Sequence, residues 1–89
     1  MERAPILGKL AFSFPRDILV VFKSMSGVTD ANLIYGPYDF YVTANAKTKE
    51  ALSELVLKIR STKGVADIIT CYVISLSELK PEPRSHLAE

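Results

Sequence analysis

Few residues in this 89-residue sequence can do chemistry, and they are scattered along it. Asp39 stands out first. It directly follows Gly36-Pro37-Tyr38, between two β-branched and aromatic runs, where a hairpin is expected. A carboxylate is poor strand material, so the turn does not by itself account for Asp39. A carboxylate there can grip a cation such as an ammonium group, or it can accept main-chain N–H groups and stabilise the turn. The residue types leave both roles open. The single cysteine, Cys71, lies in an apolar run and reads as a small core hydrophobe rather than a reactive thiol. The single histidine, His86, falls in a polar C-terminal stretch and is expected to be incidental. One cysteine excludes an internal disulfide, a Cys-x-x-Cys motif and an all-cysteine metal site. No glycine-rich phosphate loop is present. The segment Asp39-Phe40-Tyr41-Val42 lacks the basic residue and glycines of an RNA-recognition strand. Neither a metal nor a cofactor is expected.

The elements that must position these residues follow from periodicity. Residues 1–5 are expected to fray, and residues 6–13 alternate loosely as a first strand. Pro15 suits the first turn of a helix, with Ser13 as a nearby cap. Over 16–25 the apolar residues Ile18, Val21, Phe22 and Met25 recur at helical spacing. Ser26-Gly27 ends that helix, with glycine in the left-handed position. Residues 28–35 form a second strand, with Ala31, Leu33 and Tyr35 on one face and Val28, Asp30, Asn32 and Ile34 on the other. Gly36-Pro37 is expected to make a type II′ turn. In the third strand Phe40, Val42, Ala44 and Ala46 share the helix-packing face, opposite Asp39, Tyr41, Thr43 and Asn45. Thr48 caps a second helix whose stripe is Leu52, Leu55, Val56 and Ile59, and Gly64 closes it. The long apolar run over 65–76 reads as a central or partner-covered strand, with a short fifth piece near 75–79.

The order is strand, helix, strand, strand, helix, strand. It predicts an α+β, ferredoxin-like βαββαβ fold: a four-stranded antiparallel sheet with two helices on one face. The domain spans 6–79, and 80–89, with Pro81 and Pro83, is a flexible tail. Leaving one sheet face bare, with Leu33, Tyr35, Tyr41 and Thr43 on it, favours dimerisation.

The totals agree with a small associating domain. A chain this short buries only about 60–65% of its unfolded surface and gains from oligomerising. Apolar residues make up 48% of the sequence, and mean hydropathy is +0.18, more than so small a core consumes. With 11 basic and 10 acidic residues the net charge is +1, which gives no support to nonspecific nucleic-acid binding. The lone cysteine fits a reducing, cytoplasmic setting. No apolar stretch approaches a membrane span, and Ile6-Leu7 is followed at once by Gly8-Lys9, unlike a signal peptide.

Three pieces together carry a resemblance. They are the hairpin Gly36-Pro37-Tyr38-Asp39-Phe40-Tyr41-Val42, the helix motif Leu52-Ser53-Glu54-Leu55-Val56, and Ile59 followed by Gly64-Val65 and Thr70. Their order and spacing resemble the RAM domain, the ACT-like effector-binding half of the Lrp/AsnC transcriptional regulators. The likeness covers about residues 6–79. Full members carry an N-terminal helix-turn-helix domain for which this sequence shows no segment, so it is similar to stand-alone RAM proteins. Direct DNA binding by this polypeptide is not expected. The resemblance implies a non-enzymatic amino-acid sensor that forms homodimers and octamer-like rings and modulates transcription through a full-length Lrp/AsnC paralogue. It implies ligand contacts from Gly36, Tyr38 and Asp39 at the hairpin and from Thr70, Cys71 and Tyr72 on the last strand. Asp39 would take the ligand's ammonium group, and Thr70 with turn N–H groups its carboxylate.

Two other functions fit the same plan. A dimeric α+β barrel enzyme, of monooxygenase or isomerase type, would need an enclosed polar cavity inside one subunit, for which the sequence offers Asn32, Tyr41 and Asn45. A purely structural assembly module would need only the sheet surface.

Overall fold

The computed structural model describes residues 1–11 and 15–74. Its elements are β1 (Glu2–Leu10), α1 (Pro15–Ser24), β2 (Val28–Leu33), β3 (Phe40–Ala46), α2 (Lys49–Arg60) and β4 (Val65–Thr70). The strands form one antiparallel sheet in the order β2-β3-β1-β4. This is the ferredoxin-like α+β plan expected from the sequence. The fifth piece near 75–79, the tail over 80–89 with His86, and the Ser13 cap lie outside the described residues.

β3 shows how the pattern becomes a core. Its alternation puts Phe40, Val42 and Ala44 fully out of solvent, while Tyr41, Thr43 and Asn45 stay half-buried on the other face. α2 brings its predicted stripe, Leu52, Leu55, Val56 and Ile59, onto that core. Thr48 caps the helix by accepting the Ala51 N–H at 3.0 Å. α1 adds Ile18 and Phe22, and the Phe22 and Phe40 rings lie 4.9 Å apart at 46°. Val21, expected in the stripe, is 42% exposed, and Leu19 packs against the core instead. Gly27 and Gly64 both take positive φ after their helices.

Three strands depart from expectation. β1 starts at Glu2 rather than fraying to residue 5: Glu2, Arg3, Ala4 and Pro5 pair with Ala46, Asn45, Ala44 and Thr43. Pro5 is tolerated in this central strand because its missing N–H removes one bond rather than the pairing. The Cys71 N–H still donates to the Pro5 carbonyl at 2.9 Å. In β2 the register shifts between Val28 and Asp30, a bulge that places both Val28 and Ala31 on the core side, opposite Ala44 and Val42. Leu33 pairs with Phe40 and so belongs to the helix side, not the bare face. β4 is an edge strand, not a central one, and ends at Thr70. Its pairing continues through Cys71 and through Val73, whose N–H donates to the Arg3 carbonyl at 3.0 Å. Ile69, Tyr72, Val73 and Ile74 are exposed in the single subunit.

Gly8 has a role that its sequence context does not announce. It pairs with Phe40, and a Cβ there would overlap the Phe40 ring. The absent side chain is what lets the Phe40 ring lie against β1. Gly8→Ala is expected to lower stability by about 1–3 kcal/mol. Phe40→Leu should cost less in the Gly8→Ala background than alone, because the smaller side chain relieves the overlap. Urea midpoints of the four proteins check this, and strict additivity would contradict it.

Candidate functional site

The hairpin closes differently from a type II′ turn. Leu33 pairs with Phe40, and the Ile34 N–H donates to the Asp39 carbonyl at 3.0 Å. Four residues, Tyr35 to Tyr38, therefore form the loop, and Tyr35 is fully exposed. Gly36 does adopt positive φ, at 145°, a region that favours glycine. The two-residue turn fails because β1 competes for Asp39. The Asp39 N–H donates to the Gly8 carbonyl at 2.7 Å. Its carboxylate Oδ2 accepts the Leu10 N–H at 2.8 Å. Both contacts sit where β1 shifts register between Lys9 and Leu10. The carboxylate thus caps a main-chain donor that the irregular ladder releases. The local role weighed for Asp39 is real, but its partner belongs to β1 rather than to the hairpin.

Lys9 completes this end of the sheet. Its Nζ lies 5.9 Å from the centroid of the half-buried Tyr38 ring, within cation–π range. Across β4, Asp67 pairs with Lys9 in register, and its Oδ1 accepts the Ile68 N–H at 2.9 Å. Lys9 was not among the residues expected at the site. Its position after Gly8 could have drawn attention only once Gly8 was known to face Phe40.

The other three predicted residues stand elsewhere. Thr70 pairs with Ile6, Cys71 bonds to Pro5, and Tyr72 follows. Gly8 lies two residue steps from Ile6, about 7 Å along the strand, and two strand spacings, about 10 Å, separate β4 from β3. One amino acid cannot bridge Asp39 and Thr70 within this subunit. Cys71 is exposed rather than a core hydrophobe, because β4 lies at the sheet edge. Tyr72 is 53% exposed and lines an open cleft of about 270 Å³ with Glu2, Lys49, Leu52, Ser53, Val73 and Ile74. The hairpin set and the β4 set are therefore brought onto one sheet but not to one point.

The bare sheet face is divided. Its β2/β3 half is polar and internally bonded: Thr43 Oγ1 donates to the Tyr41 hydroxyl at 3.1 Å, Asn45 Nδ2 to Thr29 Oγ1 at 2.8 Å, and Asn32 Nδ2 to Asp30 Oδ1 at 2.9 Å. Its β1/β4 half carries Leu7 opposite Ile69, with Pro5, Cys71 and Val73 beyond. Among the described residues no cluster of three or more His, Cys, Asp or Glu could hold a metal, and no helix is long and apolar enough to cross a membrane.

Comparison with solved structures supplies the family context. FFRP-DM1 superposes with a TM-score of 0.79 at 28% identity, over 83% of this chain and 100% of that one. E. coli AsnC does so with a TM-score of 0.76 at 18% identity, over 91% of this chain and 56% of AsnC. The chain has the RAM-domain fold of Lrp/AsnC regulators. The RAM fold is an effector-binding regulatory domain. The transcriptional regulator NMB0573 from Neisseria meningitidis, solved as a complex with L-Met, matches with a TM-score of 0.72 at 21% identity, over 97% of this chain and 58% of that one. The chain thus spans somewhat more than half the length of these two regulators. No family model and no curated protein matches the sequence.

The Asp39 contact gives a test. Asp39→Ala strips the acceptor from the Leu10 N–H and is expected to cost about 1 kcal/mol, less than a buried charged hydrogen bond because the group is exposed. Asp39→Asn keeps a carbonyl acceptor and should recover at least half of that loss. Equal urea midpoints for wild type and Asp39→Ala would rule out the contact as a stabilising one.

Proposed function

We propose that this RAM domain is a non-enzymatic amino-acid-binding module that works as an oligomer, with Asp39 receiving the ligand's ammonium group. The observation that carries the proposal is the fixed geometry of Asp39. One carboxylate oxygen is tied to β1 through the Leu10 N–H, and the residue is otherwise exposed at the end of the sheet. An anionic acceptor held by the backbone pays little ordering entropy when a cation arrives. The L-Met complex of NMB0573, on the same fold, fits this reading. In the same reading Gly36 and Tyr38 shape the loop beside the ligand, and Thr70, Cys71 and Tyr72 reach it from a neighbouring subunit, since they cannot do so from the same one. Regulation of transcription through a full-length Lrp/AsnC protein would be its setting.

The enzyme alternative finds less support. The space between sheet and helices is filled by Phe22, Phe40, Ile59 and Leu52, and Asn32, Tyr41 and Asn45 stand on the opposite face. The oligomer has a candidate surface in the apolar half of the bare face, Leu7, Ile69 and Val73, which a second copy would cover.

Two measurements decide between outcomes. A cognate amino acid at about 100 times its Kd adds about 2.7 kcal/mol, so a thermal melt should rise by roughly ten to twenty degrees. No rise with any of the twenty common amino acids at millimolar concentration would end the sensor reading. For assembly, Ile69→Asp is expected to reduce the light-scattering mass toward that of a single chain. Val20→Asp, on the outer face of α1, should leave the mass unchanged. Identical masses for wild type and Ile69→Asp would remove β4 from the interface.

A further inference from the structure

The sensor reading gives the ligand's carboxylate no partner within the subunit that supplies Asp39, since Thr70 of that subunit lies too far away. Lys9 fills that gap. It immediately precedes Leu10, whose N–H anchors Asp39, and its ammonium rests over the ring of Tyr38, the residue before Asp39. A cation and an anion are thereby set side by side at one end of the sheet, on the backbone of two paired strands. Each is engaged by a neutral group: Asp39 by a main-chain N–H, Lys9 by an aromatic face. Neutral partners satisfy a charge less than an opposite charge does, so each keeps capacity for one. Asp67, the acidic neighbour across β4, has one oxygen committed to the Ile68 N–H.

We propose that Lys9 binds the α-carboxylate of the ligand while Asp39 binds its ammonium group, so that the site selects free α-amino acids over amines, amino-acid amides and peptides. The inference rests on the sensor reading above. The α-carboxylate and ammonium of an amino acid stand on adjacent bonds, and only a ligand carrying both charges answers both residues together. Tyr38 then has a positioning role. Its ring holds the flexible four-carbon stem of Lys9 over the hairpin and reduces the entropy lost when the ammonium engages a carboxylate. The half-buried ring also offers an apolar flank to the ligand's Cα side.

The test compares the twenty common L-amino acids with their α-carboxamides, by thermal shift and then titration calorimetry, on wild type, Lys9→Met and Lys9→Arg. The carboxamide keeps the ammonium group and removes the negative charge. Lys9→Met keeps most of the side-chain length, and its melt without additive checks that the fold is intact. Wild type is expected to bind at least one amino acid about ten-fold or more tighter than the matching carboxamide, the size of a lost charged hydrogen bond. Lys9→Met should bring that amino acid down to the carboxamide's affinity and leave the carboxamide's own affinity unchanged. Lys9→Arg should restore most of the preference. If wild type responds to an amino acid and Lys9→Met responds equally, Lys9 is not the carboxylate partner and the sensor reading survives. If Lys9→Met weakens amino acid and carboxamide alike, Lys9 acts on the fold of the site and the assignment also fails. If wild type responds to none of the panel, the sensor reading and this inference fall together.

Discussion

The start of β3 is clasped to β1, and the hairpin end of the sheet depends on that clasp. Phe40 lies over Gly8 because there is no Cβ to hold it off. One residue earlier, Asp39 donates its N–H to the Gly8 carbonyl and receives the Leu10 N–H on its carboxylate. Apolar seating and polar tie thus act on adjacent residues of each strand. They also decide the hairpin. Once Asp39 is committed to β1, the closing pair with β2 moves out to Ile34 and Asp39, and the loop lengthens to four residues. The rigid turn suggested by Gly36-Pro37 is overridden by a contact 29 residues away in sequence. Gly36 keeps its positive φ inside the longer loop.

The same contrast explains what could be read from the sequence. β3 and α2 were legible because each satisfies its own rule locally: strict alternation in one, a Thr48 cap and a three–four stripe in the other. The βαββαβ order and the role of Gly27 and Gly64 followed in the same way. The bounds of β1 were not legible, because Pro5 reads as a strand breaker, and only its pairing shows that a single missing N–H is tolerated. β4 was legible only in part. A continuous apolar run signals burial but does not say by what; the sheet order rules out a central position, and Ile69 and Val73 stand exposed in the single subunit. The bulge at β2 reversed the facing of Val28 without any marker residue. At the candidate site the residue type of Asp39 was visible but its partner was not, because a main-chain N–H has no signature. Lys9 was invisible for a similar reason: its neighbour Tyr38 comes close only through strand pairing.

An exposed carboxylate tied to one N–H holds its position but grips an ammonium ion weakly, because water screens the pair. That limit connects the two parts of the proposed function. Covering the hairpin end with a neighbouring subunit would displace water, strengthen both charge pairs with an amino acid, and bring residues such as Thr70 or Tyr72 from the second chain. The stronger pairing exists only in the assembled state, so the ligand would favour assembly by the same free energy by which assembly favours the ligand. Fixing Asp39 and Lys9 on paired strands, rather than on a free loop, matters in that scheme. The energy of binding then goes into joining subunits rather than into ordering side chains.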